Sequence, residues 1–576
     1  MVKQHIASTL LRLRTALQRF FGVTAWQTML LWSLVAGVLG ALATELFRLM
    51  LSGLDQAVLG RSGSMVAIAR SLPWWARILV PTAGGLLAGG LLLYARRLSS
   101  KKATSDYMEA IVLGDGRIPV GQTLLRSASS LLSIASGGSI GREGSMVQLA
   151  ALAASLLGRY CRFPVERLRQ LVACGAAAGL SAAYNAPIAG AFFVAEIVLG
   201  SIAMESVGPV LFSAVVANIF MRELPNYQPV YEMPSFPAIF GPEVVLFALL
   251  GVLLGFAAAG FLKALALTRS VFAKLPVALP VRLALGGLIV GLISVRMPQV
   301  WGNGYSVVNS VLHEPWTWQL LAWVLAAKFV ATIATAGSGA VGGVFTPALF
   351  FGCLSGALLG HVAQALWPDA TSAPFTYGIV GMGAFLAAAA QAPLMAILMI
   401  FEMTLSYQVM LPLMTASVIA YFVARSTHAG SMYEITQHHR EQHLERERLR
   451  TQRLRDLVQP AQTVVGPEAG REEMSRLFLQ YPVKYLYVAD SRQRYLGVVP
   501  LVALNAADRD RHVVARELLS PEIQPVTADM ELTEALQRFL EHRGERLPMV
   551  ESARDPVLLG AVAKSALLAS YAQLAK

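Results

Sequence analysis

The amino-acid sequence predicts an all-α polytopic membrane protein followed by a small soluble α/β domain. First, 55% of the 576 residues are hydrophobic and only 14% are charged, whereas soluble domains average about 25% charged residues. Second, residues 25–425 fall into two halves, and each half opens with long apolar spans and then fragments into short ones. Third, residues 457–576 have a soluble composition and contain an internal repeat.

Changes in composition along the chain predict six parts. They are a cytoplasmic amphipathic helix (1–24), a first membrane repeat (25–221), a connector (222–240), a second membrane repeat (241–425), a charged linker (426–456) and a soluble tail (457–576).

The N-terminal segment combines basic and apolar residues and has no acidic residue. Lys3, Arg12, Arg14 and Arg19 alternate with leucine and phenylalanine, which is typical of a helix lying on a membrane surface. A signal peptide is disfavoured because the arginines interrupt the apolar run. By the positive-inside rule, these charges place the N-terminus in the cytoplasm, and we expect both termini there.

Both membrane repeats contain segments long enough to cross a bilayer and shorter ones that are not. In the first repeat the predicted segments are Thr28–Leu51, Ala76–Tyr94, Tyr107–Leu113, Val120–Ala135, Met146–Leu157, Leu168–Ser181, Pro187–Leu199 and Val207–Met221. In the second repeat they are Pro242–Ala266, Pro280–Val295, Trp318–Ala336, Phe345–Ala365, Tyr377–Ala390, Ala392–Phe401 and Met410–Ala424.

A glycine-rich break interrupts each repeat, at residues 136–145 and 336–347. Glycine lets the backbone approach a ligand closely, and a helix start offers unpaired N–H donors at the positive end of its dipole. Together these features favour an anion site. Glycines can also serve helix packing alone, but two breaks in corresponding places favour a substrate site between inverted repeats.

Other classes of function find little support in the sequence. The net charge of +12 fits basic cytoplasmic flanks better than nucleic-acid binding. Cys161, Cys174 and Cys353 lack metal-ligand spacing and are interpreted as buried apolar residues. The charged run around His438 and His439 is interpreted as a solvated linker helix rather than a metal site. With no nucleophile–base pair or metal-ligand set, an enzyme is not expected.

The tail repeats a helix–strand–turn–strand–helix pattern. Residues 484–488 and 496–499 are echoed by 546–550 and 559–562. This pattern resembles a pair of CBS motifs, a regulatory module that often binds adenine nucleotides. In this module a Thr or Ser and an Asp usually follow the glycine-rich strand, whereas the two copies here read Pro-Leu-Val-Ala at 500–503 and Lys-Ser-Ala-Leu at 564–567. This departure argues against adenine-nucleotide binding and favours a structural or dimerising role at least as much.

The membrane part resembles the CLC family of chloride channels and chloride/proton exchangers. The resemblance rests on Gly-Arg-Glu-Gly-Ser at 141–145, Gly-Val-Phe-Thr-Pro at 343–347, Tyr-Asn-Ala-Pro-Ile-Ala-Gly at 184–190 and Met-Tyr at 432–433. The Gly-Asp-Gly-Arg-Ile-Pro stretch at 114–119 and Trp-Gly-Asn-Gly-Tyr-Ser at 301–306 are similar to the ClcB-like bacterial subgroup.

The resemblance implies specific roles around an anion. The amides of Val344 and Phe345 and the hydroxyl of Tyr433 would bind chloride, and Glu143 would be a gate that competes with the ion. A salt bridge between Glu143 and Arg142 is disfavoured because adjacent residues do not share a helix face. The helix starts at the anion site would be formed by Gly141, Arg142, Gly144 and Gly343.

Two departures from the family pattern concern the inner part of the pathway. The family's Gly-Ser-Gly-Ile-Pro serine has no equivalent, so the amides of Gly116 or Ile118 are expected to replace it. Exchangers usually carry an adjacent Glu-Glu pair, and here the pair reads Glu196-Ile197. An aliphatic residue at the proton-transfer position resembles channels. Glu196 is then expected to be structural, as is Glu402, although a proton-linked role for Glu196 stays open.

These observations predict a passive chloride channel of the bacterial inner membrane that can act as an electrical shunt. It would be a homodimer that contacts its partner through faces at 187–220 and 377–405, surrounded by lipid. A chloride/proton exchanger with another proton path is the first alternative. A membrane sensor that signals through the tail is the second.

Overall fold

The computed structural model describes residues 25–60, 63–97, 106–200, 204–225, 229–234, 241–433, 454–508, 512–520, 523–530, 532–542 and 544–574. It divides into two compact units, Met1–Gln437 and His438–Lys576, which are described separately. The predicted amphipathic helix at 1–24 and residues 434–453 of the charged linker lie outside the described residues.

The first unit is built from helices. They are α1 (Ala25–Leu59), α2 (Met65–Ser71), α3 (Trp74–Arg97), α4 (Tyr107–Val112), α5 (Val120–Ala135), α6 (Glu143–Tyr160), α7 (Val165–Tyr184), α8 (Pro187–Phe192), α9 (Met204–Arg222), α10 (Val244–Lys274), α11 (Leu279–Arg296), α12 (Tyr305–His313), α13 (Trp318–Gly337), α14 (Phe345–Leu366), α15 (Pro374–Ala390), α16 (Pro393–Thr404) and α17 (Met410–Ser426).

By length and composition, seven helical segments of the described residues could cross a membrane, and several apolar helices are too short to do so. The prediction of a polytopic helical protein with broken helices is therefore confirmed. The first half contains α1 and α3 as long spans, and the second opens with α10 and α11.

Most predicted segments begin or end a few residues away from their predicted bounds, and the helices Met65–Ser71 and Tyr305–His313 were not predicted. Two segments differ in ways that bear on the site. Helix α6 begins at Glu143, three residues before the predicted Met146, because an acidic residue in the first turn is favoured by the helix dipole. The segment Pro187–Leu199 continues α8 as a π-helical turn over Phe193–Leu199. This turn carries Glu196.

The second unit contains two copies of one α/β arrangement, as the sequence predicted. Strands β1 (Val464–Val465), β2 (Tyr485–Ala489) and β3 (Tyr495–Pro500) form one sheet, and β4 (Val526–Thr527), β5 (Arg546–Val550) and β6 (Leu558–Ala563) form the other. In each sheet the first pair of strands is parallel and the second pair antiparallel. The accompanying helices are α18 (Arg471–Gln480), α19 (Leu501–Ala506), α20 (Leu532–Glu541) and α21 (Lys564–Leu574).

Side chains from the two sheets pack together between the copies. Tyr487 and Val498 from the first copy form an apolar cluster with Leu558 and Ala561 from the second. The two copies therefore share a core.

Candidate functional site

The two glycine-rich breaks meet each other in the structure. The Gly141 amide donates to the Gly343 carbonyl (2.8 Å), and the Gly343 amide donates to the Gly141 carbonyl (3.0 Å). This antiparallel bridge joins the segments that lead into α6 and α14. Two helix starts from different halves of the chain therefore lie side by side.

The carboxylate of Glu143 lies at the start of α14. Its Oε1 accepts a hydrogen bond from the Thr346 amide (3.0 Å) and its Oε2 accepts one from the Thr346 hydroxyl (2.8 Å). The side chain is buried, with 4% of its surface exposed. A negative group from the first half thus occupies the positive end of a helix in the second half.

The glycines on both sides of this carboxylate make room for it. A Cβ atom at Gly141 would lie 2.2 Å from both Glu143 carboxylate oxygens, and one at Gly343 would lie 2.5 Å from Oε1. At Gly144 a Cβ would be 3.4 Å from its nearest neighbour, the Gly343 nitrogen. Of these three glycines, Gly141 and Gly343 leave the space that the carboxylate occupies.

Two tyrosine hydroxyls converge on the Thr346 hydroxyl. Tyr184 Oη lies 2.8 Å from Thr346 Oγ1 and Tyr305 Oη lies 3.2 Å from it. Tyr184 ends α7 and Tyr305 begins α12, so three helices (α7, α12 and α14) supply these groups around Glu143, which itself begins α6. The sequence analysis did not select these three residues. The available signal was that each of the three lies within a motif that the sequence analysis quoted.

The amides of Val344 and Phe345 lie at the same helix start. Both residues are buried, and within the described residues neither amide has a hydrogen-bond acceptor. Such donors are available to an anion. The neighbouring Arg142 guanidinium lies over the Tyr305 ring, 5.2 Å from its centroid, and adds positive charge at this end of the site.

A family profile described as "Voltage gated chloride channel" matches residues 84–425. The chain belongs to this family, the CLC family. A protein of Ralstonia nicotianae named for its likeness to the chloride channel protein ClcB is 56% identical over 401 residues, covering 69% of this chain and 94% of that protein. The voltage-gated ClC-type chloride channel ClcB of Escherichia coli is 42% identical over 410 residues, covering 70% and 97%.

Solved structures of CLC proteins have the same fold. The crystal structure of a slow cyanobacterial Cl−/H+ antiporter matches with a TM-score of 0.63 and 25% identity, covering 72% of this chain and 97% of that one. The recognition of a CLC fold from the sequence is confirmed, and the protein is a multi-pass membrane protein of a family that transports anions.

The amides of Gly116 and Ile118, expected to replace the missing CLC serine, already have acceptors. The Gly116 amide donates to the Ala110 carbonyl (3.0 Å), and the Ile118 amide donates to Ser155 Oγ (3.1 Å). Ser155 Oγ in turn donates to the Gly116 carbonyl (2.7 Å). This loop therefore uses its amides internally, and we leave both out of the proposed anion site.

Tyr433, whose hydroxyl was expected to bind chloride, is anchored beside the end of α15. The Tyr433 amide donates to Ser431 Oγ (3.2 Å), and Ser431 Oγ donates to the Ala390 carbonyl (2.9 Å). The Tyr433 ring packs edge-on against Phe193, with centroids 5.6 Å apart. Its hydroxyl lies within electrostatic range of the Glu143 carboxylate.

Glu196 and Glu402 make matching contacts across the two CLC repeats. Glu196 accepts hydrogen bonds from the amides of Leu394 (3.3 Å) and Met395 (2.8 Å) at the start of α16. Glu402 accepts two bonds of 2.8 Å from the amides of residues 188 and 189 at the start of α8. Each glutamate thus caps the short helix of the other half, an arrangement that we call the glutamate exchange.

The sequence around the glutamate exchange is also duplicated. Asn185 and Gln391 both adopt left-handed backbone, with φ of 58° and 55°. Each is followed by Ala-Pro and a short helix. The spacing from Asn185 to Glu196 equals the spacing from Gln391 to Glu402. Ile197, at the position of the usual proton-transfer glutamate, is fully buried.

A buried lysine that the sequence analysis did not select holds the loop before α12. Lys328 in α13 is 0% exposed, and its Nζ donates to the carbonyls of Val300 (2.9 Å) and Gly302 (2.6 Å). Between them, Trp301 packs on the first glycine-rich break, where a Cβ at Gly137 would lie 2.5 Å from its ring. Lys328 therefore supports the segment that leads to Glu143.

A hydrogen bond between two titratable side chains, one from each copy, lies in the tail. A hydrogen bond of 2.8 Å connects the Tyr485 hydroxyl and His542 Nε2. Burial, with a smaller contribution from the charge of Lys564, lowers the pKa of His542 below its ordinary value. The folded tail therefore favours the neutral imidazole. Among the described residues, no group of three or more His, Cys, Asp or Glu could hold a metal ion.

Proposed function

We propose that this CLC protein is a chloride channel in which Glu143 is the gate. The observation that carries the proposal is the position of the Glu143 carboxylate, which accepts two hydrogen bonds from Thr346 at the start of α14. The amides of Val344 and Phe345 belong to the same helix start. A carboxylate and a chloride ion would therefore compete for one helix start.

Physical chemistry accounts for a gate of this kind. Chloride must lose part of its water to pass through the protein, and backbone N–H groups at a helix start replace that water without a buried positive charge. While Glu143 is ionised it holds the position as a tethered anion. Protonation removes its charge and hence its attraction to these donors, and the position becomes available to chloride.

Ile197 supports a channel over an exchanger. A buried aliphatic residue cannot accept or donate a proton where exchangers of the family carry their inner glutamate. Glu196, with both amides at the start of α16 as partners, is proposed to be structural. A chloride/proton exchanger with another proton path is the second candidate, and the likeness to the cyanobacterial antiporter favours it.

The proposed setting is the bacterial inner membrane, with both termini in the cytoplasm and the protein as a homodimer. The two faces expected to meet carry exposed apolar side chains, among them Ile188, Phe212, Ile219 and Leu394. Passive chloride flux through such a dimer would dissipate an electrical potential built by proton movement.

Flux measurements on the purified protein in liposomes test the proposal. Glu143→Ala and Glu143→Gln are expected to conduct chloride at all pH values, whereas the wild type conducts more at acid pH. Unchanged pH dependence in both variants would contradict the gate.

The reversal potential under crossed chloride and proton gradients separates the two candidates. A channel ignores the proton gradient, whereas an exchanger shifts its reversal potential with it. Absence of chloride flux in the wild type and in both Glu143 variants would instead support a sensor.

A further inference from the structure

A cavity of about 870 Å³ lies between α1, α4, α7 and α9, apart from the residues around Glu143. Its lining combines Arg167 and Arg169 with apolar side chains from all four helices. We propose that this cavity binds an anionic phospholipid, with the headgroup phosphate at the arginines and the beginning of an acyl chain among the apolar side chains. Such a site would exist whether or not Glu143 is the gate.

The cavity lies where three helices begin. Met29 is the fifth residue of α1, Arg167 the third of α7 and Ser206 the third of α9. Two more arginines, Arg159 and Arg162, precede α7, and arginines gathered at one end of apolar helices are typical of the cytoplasmic face of a membrane. The cavity is therefore expected at the depth of the inner-leaflet phosphates, where basic pockets between helices bind anionic headgroups.

Arg167 supplies the charge that binds an anionic headgroup. Its side chain is half-buried, and within the described residues its guanidinium donates no hydrogen bond and forms no ion pair, not even with the adjacent Glu166. Burial of a charged group without a partner is unfavourable, so a phosphate would relieve this cost. Arg169 donates from Nε to the Gly114 carbonyl (2.7 Å), which holds its side chain in place and leaves its terminal nitrogens for a ligand. Guanidinium groups bind phosphate through paired hydrogen bonds.

The rest of the lining favours a lipid over a free phosphate. Six lining residues are apolar, namely Met29, Ile111, Val112, Ala173, Leu199 and Val210. Val210 lies about one helical turn beyond Ser206 in α9, toward the interior of the membrane. A soluble phosphate would fill only the region of the arginines and leave the apolar lining against water. An acyl chain would cover that lining, and removal of apolar surface from water is favourable.

The cavity is not on the face proposed to meet a partner subunit. Helical periodicity places Ser206 and Val210 on one side of α9 and Phe212 and Ile219 on the opposite side. In agreement, Phe212 and Ile219 are exposed whereas Val210 is buried. A second copy of the chain is therefore a poor candidate for the occupant of the cavity.

Native mass spectrometry of the delipidated full-length protein with added phosphatidylglycerol measures the site directly. One basic residue at a membrane surface changes the affinity for anionic lipid by about fivefold. Arg167→Gln should therefore bind phosphatidylglycerol about fivefold more weakly than the wild type, Arg167→Glu about 25-fold more weakly, and Arg167→Lys about as strongly. Glu166→Gln should bind it about fivefold more strongly. Because Glu166 is exposed, that variant does not depend on how Arg167 packs.

Arg162→Glu is the matched control, since it makes the same change of charge at an exposed residue outside the cavity lining and should bind the lipid as the wild type does. Phosphatidylglycerol should also raise the melting temperature of the wild type in detergent, because it binds the folded protein, and should raise that of Arg167→Glu much less. Equal lipid binding by Arg167→Glu and Arg162→Glu would overturn the site. Displacement of the lipid by inorganic phosphate at equal concentration would overturn the choice of a lipid in favour of a soluble anion.

Discussion

Replacing Gly343 by alanine should move the Glu143 carboxylate off the start of α14 without changing any ionisable group. The new Cβ would lie 2.5 Å from Oε1, whereas ordinary van der Waals contact begins at 3.4 Å. Its three nearest atoms all belong to the Glu143 side chain. The flexible carboxylate, not the backbone, is therefore expected to yield, by about 0.9 Å.

A shift of that size along the two bonds from Thr346, now 3.0 and 2.8 Å, takes both beyond hydrogen-bonding distance. Each bond to a charged group contributes about 1.5–3 kcal/mol. Loss of both therefore costs about 3–6 kcal/mol, which lowers the population of the bound carboxylate by about a hundredfold or more. Gly343→Ala should then conduct chloride near neutral pH as Glu143→Ala does.

Chloride efflux from liposomes, measured across the same pH range for each variant, is the assay. Gly144→Ala is the control, since its Cβ would make only an ordinary contact of 3.4 Å and it should behave like the wild type. The reasoning is refuted if Gly343→Ala is folded and has the oligomeric state of the wild type, yet stays closed at neutral pH.

Three further predictions concern stability. Glu402→Ala removes the two hydrogen bonds that cap α8 and should lower the free energy of unfolding by about 1–2 kcal/mol. Combined with Glu196→Ala, the two losses should not simply add. Thermal unfolding in detergent measures both effects. Lys328→Met leaves two buried carbonyls without a donor and should cost about 1–3 kcal/mol or more; a melting temperature equal to that of Lys328→Arg would contradict this. Because the pKa of His542 is lowered in the folded tail, the unfolded tail binds more protons below about pH 6.5. Hydrogen exchange in the intact protein should show the tail losing protection as pH falls, and less so in His542→Gln.

Sequence patterns predicted correctly those features that are determined by residues close together in the chain. Each glycine-rich break is followed directly in the chain by its helix, and Glu143 lies within the first break. The structure brings the two breaks together at Gly141 and Gly343. The strand repeat of the tail is likewise a local pattern, and it was predicted for the same reason.

The sequence could not predict hydrogen bonds between residues that are distant in the chain and lie on different elements. The amide of Ile118 was expected to be free to bind an anion, but it donates a hydrogen bond to Ser155 Oγ in helix α6. Thr346, Tyr184 and Tyr305 stand in three separate motifs, and only the packing of their helices makes them one network. The partners of Glu196 and Glu402 are similarly distant in sequence, so their structural role could be inferred but not their mutual geometry.

The glutamate exchange has a consequence for how such a chain arises. Each half supplies the glutamate that caps a short helix of the other half, and its own short helix is capped by the glutamate of that other half. That reciprocity is what two identical half-length polypeptides would show if they assembled about a two-fold axis, where residue i of one contacts residue j of the other and vice versa. Gene duplication and fusion would then have turned a contact between molecules into one within a molecule. The two halves, produced as separate polypeptides, should accordingly recognise each other.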